Sequence, residues 1–231
     1  MKFFTLLGLA LAPGFAIALY IYLKDKHERE PIGLLIVSFI YGILSTFITL
    51  VVSYLLESFL LFRKDNLIDQ LANAFLYVAL LEEFSKFIFI RFILFNNKNF
   101  NEPFDGIVYA VMVGMGFATL ENILYVSQYG FATAMLRMFT AVPAHATFAI
   151  LMGYFIGKAK FSRQATIGYS LLGLLVATFF HGAYDYFWFI SFVPGLWVGA
   201  VISLTIAFIL SRSAIRLHQQ ASPFIRPSSR L

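Results

Sequence analysis

Long apolar runs separated by short polar stretches dominate the chain. Apolar residues fill nearly every position over about 3–23, 33–56, 69–95, 104–127, 131–157, 166–187 and 189–210. Each run is near the ~20 residues that a helix rising 1.5 Å per residue needs to cross a hydrocarbon layer of about 30 Å. The pattern predicts an all-α, polytopic integral membrane bundle of about seven transmembrane helices. The sixth and seventh runs nearly touch, so six or eight spans are the alternatives. Residues 1–210 read as a single multi-pass domain. Residues 211–231 carry Arg212, Arg216, Arg226 and Arg230, Pro223 and Pro227, and no acid. They read as a basic, disordered cytoplasmic tail lying on the anionic leaflet. Ala10-Leu11-Ala12 resembles a signal-peptide cleavage site, but Pro13 follows and apolar sequence continues to Leu23. The expectation is an uncleaved first helix kinked at Pro13-Gly14. No internal repeat is visible, which weakens a repeat-built transporter.

Polar clusters break this pattern inside the apolar runs. Glu82, Glu83, Lys86, Glu121, His145, His181 and Asp185 all ionise, and all lie within predicted spans. A charge at the bilayer centre costs roughly 2.5–3.5 kcal/mol on insertion scales, so seven unpaired charges approach ~20 kcal/mol. That exceeds the ~5–15 kcal/mol by which a folded domain is stable. The groups must pair, sit neutral or line a wet cavity, and a chemical or transport role is the default reading.

Spacing sharpens the picture. Glu82 and Lys86 stand one helical turn apart on one face, and Glu83 points about 100° away. Two acids with one base leave a carboxyl suited to general acid or base work. His181 and Asp185 are also one turn apart, which lets the carboxylate orient the imidazole. Glu121 and Asn122 follow the small residues Gly114, Gly116 and Ala118, which permit close helix approach. His145 follows Pro143, which is expected to open the local backbone and admit water. Taken singly, each motif also fits a buried hydrogen bond that braces two helices. Together they fall on four helices at one depth, in the middle to outer half of the membrane, which scattered bracing does not explain.

Composition then removes alternatives. Hydrophobic residues make up 60% of the chain and charged residues 13%, with mean hydropathy +0.81, so no separate soluble domain fits within these 231 residues. Cysteine is absent, which excludes disulfides, thiol catalysis and iron–sulfur ligation. The only His-Glu step, His27-Glu28, continues as Arg-Glu-Pro and makes no zinc motif of the His-Glu-x-x-His type. No Gly-x-Ser-Gly nucleophile is present, and Tyr184-Asp185 lacks a Gly-x-Gly-Asp partner. What remains is glutamate plus histidine acting on water, directly or through a metal. The net charge of +5 does not indicate nucleic-acid binding, because the basic residues lie in short loops and the tail; the bilayer is the partner they suit. Of the 17 Lys and Arg residues, 12 fall on the side that holds the tail, 4 on the other, and Lys86 lies inside a span. The positive-inside rule then predicts an outer N-terminus and a cytoplasmic C-terminus.

Glu82-Glu83-x-x-Lys86, Phe117-x-x-x-Glu121-Asn122, His145-Ala-Thr-Phe148 and His181-x-x-x-Asp185 resemble, in order and spacing, the motifs of the PrsW family of intramembrane proteases. The flanking segments Asp105-Gly-Ile-Val-Tyr109 and Gly116-Phe-Ala-Thr-Leu-Glu-Asn-Ile-Leu-Tyr125 resemble it too, and the likeness runs from about residue 10 to residue 190. The resemblance implies the site-1, extracytoplasmic cut in a single-pass membrane anti-sigma factor, in a Gram-positive plasma membrane. It also implies kinship with the all-helical CAAX-type prenyl endopeptidases, and leaves open no cofactor or a single divalent metal such as zinc. Its acid before the Phe-Asp-Gly element corresponds to Glu102, which the predicted topology puts in a cytoplasmic loop away from the other acids.

The expected mechanism has Glu82 or Glu83 remove a proton from water while His181, oriented by Asp185, donates to the developing oxyanion. Lys86 neutralises the second acid, and Glu121, Asn122 and His145 complete the polar shell. If a metal takes part, Glu121, His145 and His181 are the expected ligands. The rival is a proton-coupled transporter or channel built on the same buried Glu, His and Asp groups.

Overall fold

The computed structural model describes residues 2–162 and 164–225. Among these the chain is all-helical, and six helices are long and apolar enough to cross a membrane. They are α1 (Lys2–Lys24), α2 (Ile32–Glu57), α5 (Pro103–Tyr129), the α6–α7 pair (Phe131–Phe139 and Ala141–Phe161), α8 (Thr166–Phe189) and α9 (Val198–Gln220). A seventh helical run, 67–96, is interrupted. It contains α3 (Leu67–Ala72), a π-helical turn (Asn73–Ala79), α4 (Leu80–Ile88), a second π turn (Phe89–Ile93) and a short 3₁₀ turn (Leu94–Asn96). Asn66 starts this run by accepting the Ile68 and Asp69 amides at 2.9 and 3.0 Å.

Contacts fix the directions. α2 and α5 run parallel, since Gly42 meets Gly116 and Thr46 meets Phe117. The 67–96 run is antiparallel to α8, because Phe75 meets Gly182 and Arg91 donates to Ser170 at 2.9 Å. α7 is antiparallel to α5, with Gly153 on Gly106 and His145 near Gly114. α5 is therefore the central helix, and almost every residue from Phe104 to Thr119 is buried. Lipid offers no hydrophobic drive for helices to associate, so close backbone packing has to hold them. A Cβ on Gly42 or Gly116 would collide with the backbone of the facing helix, as would one on Gly106 or Gly153 in the α5–α7 crossing.

Three features differ from the sequence reading. The fifth span is broken at Thr140 (φ −121°, ψ −75°), and Pro143 does not open the helix. Pro143 lies in the first turn of α7, where its missing N–H has no helical acceptor to lose. The last long helix begins at Val198, nine residues later than expected, after the turns at 190–197. It also continues to Gln220, so Arg212 and Arg216 are helical and the disordered tail does not begin at 211. Ser211, Ala214 and Ile215 face inward, which extends the amphipathic pattern past the basic residues. The rest of that expected tail, with Arg226 and Arg230, lies outside the described residues. α1 runs helical through Pro13.

Candidate active site

α4 carries the two acids and the lysine, and all three are buried. The π turns on either side each hold an extra residue, a distortion that often marks functional sites. Glu83 is fully engaged. Its Oε1 lies 2.7 Å from Lys86 Nζ and 2.9 Å from His181 Nδ1. Glu82 is not. Its Oε2 is 3.7 Å from Lys86 Nζ and 3.8 Å from His181 Nε2, and it has no hydrogen-bond partner despite its burial. The i,i+3 pair thus outcompetes the expected i,i+4 pair, and the lysine compensates Glu83 first.

Three further helices close around this pair. On α8, Asp185 Oδ2 reaches His181 Nε2 at 3.2 Å, so the histidine lies between two carboxylates. Phe148 of α7 stacks on the His181 ring with centroids 5.0 Å apart. His145, also of α7, stands edge-on to His181 at 5.0 Å. Its Nε2 meets Glu121 Oε2 at 3.0 Å, and its Nδ1 lies 3.4 Å from Lys86 Nζ. The Lys86 ammonium also rests 3.9 Å from the Phe117 ring, a desolvated cation on an aromatic face. Asn122 donates to the Ala10 carbonyl at 3.0 Å and ties α1 to the cluster.

Eight expected residues therefore come together: Glu82, Glu83, Lys86, Glu121, Asn122, His145, His181 and Asp185. Five of them, Glu82, Glu121, His145, His181 and Asp185, border a cavity of about 250 Å³ that is partly open and lined also by Tyr125, Thr140, Tyr184 and Trp188. The sequence reading missed Arg137. It counted as a loop charge, yet α6 folds it back so that Nη2 lies 2.6 Å from Glu121 Oε2 and Nε 3.0 Å from Asn122 Oδ1. Its guanidinium covers the Tyr125 ring at 4.1 Å. An arginine eight residues before a buried histidine was the available signal, but only the break at Thr140 turns it inward.

Glu102 does not join the site. It starts α5, 19 residues before Glu121 on the same helix, which is about 28 Å at 1.5 Å per residue. There it forms a capping box with Asp105, whose Oδ2 accepts the Asn101 and Glu102 amides at 2.8 Å. Asp25 and Glu30 are buried beside it, and Tyr109 donates to Glu30. No ion pair to these acids occurs among the described residues. Burial pushes the Asp25 carboxyl up to about 7, with Glu102 adding to the effect. Burial likewise raises Glu30 to about 6 and raises Glu102.

One group of donors among the described residues is spaced for a metal ion. Single ligand atoms of Glu82, His145 and His181 all lie within 4.8 Å of one another. Glu82 takes the place expected for Glu121, which Arg137 and His145 hold instead. The orphaned Glu82 Oε2 and two imidazoles form a donor set suited to a divalent ion such as zinc. Glu83 on His181 Nδ1 is the outer carboxylate that usually orients a ligating histidine.

Carboxylates and imidazoles buried in a helical membrane bundle, facing a polar cavity, define an intramembrane hydrolase. Residues 30–214 match the family described as PrsW family intramembrane metalloprotease, and the chain belongs to that family and is a peptidase. Protease PrsW of Geobacillus kaustophilus is 36% identical over 226 residues, covering 98% of this chain and 96% of that protein. Protease PrsW of Bacillus subtilis is 36% identical over 185 residues, covering 79% and 82%. That of Clostridioides difficile is 31% identical over 190 residues, covering 80% and 79%. No solved structure matches the chain.

Proposed function

We propose that the chain is an endopeptidase making the site-1 cut in a single-pass membrane anti-sigma factor, with Glu82 as the base. The observation that carries this is Glu82 Oε2: it is buried, has no hydrogen-bond partner and faces the polar cavity, whereas Glu83 is saturated. Glu82 takes a proton from water as the water oxygen attacks the peptide carbonyl carbon. His181, held by Glu83 through Nδ1 and stacked on Phe148, turns its Nε2 proton from Asp185 to the developing oxyanion. The C–N bond then breaks, and Glu82 returns the proton to the leaving nitrogen. Lys86 keeps Glu83 charged as an anchor for His181. Arg137 and His145 hold Glu121 and Asn122 in place. With an ion bound, Glu82, His145 and His181 would serve as its ligands in place of the base and donor roles, and the ion would supply the polarised carbonyl and the acidified water.

The substrate class rests on the family resemblance, and the orientation on the distribution of lysine and arginine. The N-terminus is outside, the C-terminus is cytoplasmic, and the cavity opens toward the extracytoplasmic face. The test is cleavage of a purified single-pass anti-sigma factor in proteoliposomes. Glu82→Gln should lower the rate by about 10²–10⁴-fold, the range for a lost general base, with the variant still folded. Equal cleavage by the variant sinks the role of Glu82. Proton flux without cleavage would establish the transporter instead.

A further inference from the structure

Glu82 borders two cavities. Besides the one beside Arg137, a second of about 320 Å³ lies between α2 and α5, and the two share Val78, Glu82, Glu121 and Tyr125. Its origin is the Gly42–Gly116 crossing. The two helices touch there and diverge toward their C-terminal ends, leaving a wedge that begins at Thr46, one turn past Gly42, and Phe117, next to Gly116. Leu50 and Leu124 stand exposed at its mouth, on the surface that lipid covers. Water needs only one way in. An exopeptidase also needs only one opening, because its substrate ends at the cut. A chain cut in its interior leaves the catalytic group in both directions, and this site has two openings.

The wedge is built to hold backbone. Thr49 Oγ1 donates to Ser85 Oγ at 2.9 Å, and Ser85 Oγ donates to the Glu82 carbonyl at 2.8 Å. Thr46 Oγ1 donates to the Gly42 carbonyl at 3.2 Å. Both threonine hydroxyls have spent their hydrogens and keep lone pairs, so they can accept from an incoming N–H. A helix offers no such N–H, since its amides are paired within the helix and it is about 10 Å wide with side chains. An extended strand offers one every second residue on a given side.

We propose that a transmembrane segment of the substrate, unwound beside the cut, enters through the α2–α5 wedge, crosses Glu82 as an extended strand, and leaves through the Arg137 cavity. The proposal rests on the peptidase reading above and adds the route and polarity of binding. The chain has no cysteine, so a single introduced cysteine carries a photo-crosslinker at one known place. In the Glu82→Gln background the label goes on Leu50→Cys or Gln128→Cys for the wedge, Leu136→Cys for the other cavity, and Ile209→Cys on the exposed face of α9. The probe is the anti-sigma factor of the cleavage assay, in proteoliposomes. The expected result is that wedge labels attach severalfold more than the Ile209 label, to the membrane-embedded side of the cut, and that the Leu136 label attaches to the opposite side. Wedge labelling no greater than at Ile209, or labelling of one substrate segment from both cavities, overturns the route while leaving the protease reading intact. No attachment from Leu136 either overturns both. Thr49→Val, which keeps shape but removes the acceptor, should lower kcat/KM for this substrate about five- to tenfold, as for one lost hydrogen bond. The fall should be smaller for a short peptide lacking the transmembrane segment.

Discussion

Arg137→Lys keeps the positive charge but removes the fork that holds Glu121 and Asn122 together. A lysine ammonium cannot make both bonds in that geometry or cover Tyr125 as a flat guanidinium does. Cleavage is expected to fall about tenfold or more, the scale on which residues that orient catalytic groups act, and the melting temperature should change little; a variant cleaving like wild type would assign Arg137 to surface chemistry. This residue also marks the limit of reading charge from sequence. Asp185 beside His181 was legible from their spacing of one helix turn, whereas the spacing of Glu82 and Lys86 named the wrong acid, since Lys86 pairs with Glu83. Arg137 was not legible, because its partners Glu121 and Asn122 lie back on α5 across the Gly130 turn, which no helical spacing encodes. The same holds for the exchange of Glu121 by Glu82 among the metal-spaced donors, which depends on which carboxylate Arg137 claims.

At the scale of elements, the long apolar helices other than the last were legible to within a few residues, and their irregularities were not. Hydrophobic runs report burial and length, but a π turn or a break at Thr140 leaves the composition unchanged. The Gly42–Gly116 crossing is the joint on which the wedge depends. Gly116→Val forces a branched side chain against the Phe39 carbonyl on α2. Overpacking of this kind costs about 1–3 kcal/mol or more. A lower melting temperature in detergent and lost cleavage are expected together; retention of both would show that the helices re-space without penalty. Gly8, by contrast, has open space around its Cβ position, so Gly8→Ala should leave both unchanged.

At the scale of the molecule, α5 joins two groups of buried acids of opposite character. One is balanced by Lys86 and Arg137. The other, Asp25, Glu30 and Glu102, makes no ion pair among the described residues. Their folded-state carboxyls titrate higher than in the unfolded chain, near 7 for Asp25 and 6 for Glu30. Stability from these groups is therefore full below about pH 4 and is lost as pH rises through about 6–7. Between those limits the unfolded chain ionises freely while the folded protein resists. Thermal melts in detergent should fall from pH 5 to pH 7.5, and Asp25→Asn should flatten the curve; an unchanged slope would acquit Asp25. Sequence reading placed Glu102 in a loop away from the other buried acids, where the structure also has it, but nothing in the sequence shows that Tyr109 and the end of α9 cover that loop.

The Lys86 ammonium has every direction occupied, by Glu83, the Phe117 ring, His145 and, more loosely, Glu82. An internal counter-ion thus does, within the chain itself, what an added cation does in proteins whose ligands repel one another until it arrives. Folding and loading are then separate events, unlike those small domains that are shapeless until an ion gathers them. A chelator-treated sample should still melt in one cooperative transition. Adding back zinc should raise that transition by an amount that grows with the logarithm of its free concentration, the signature of saturation of a ready-made site.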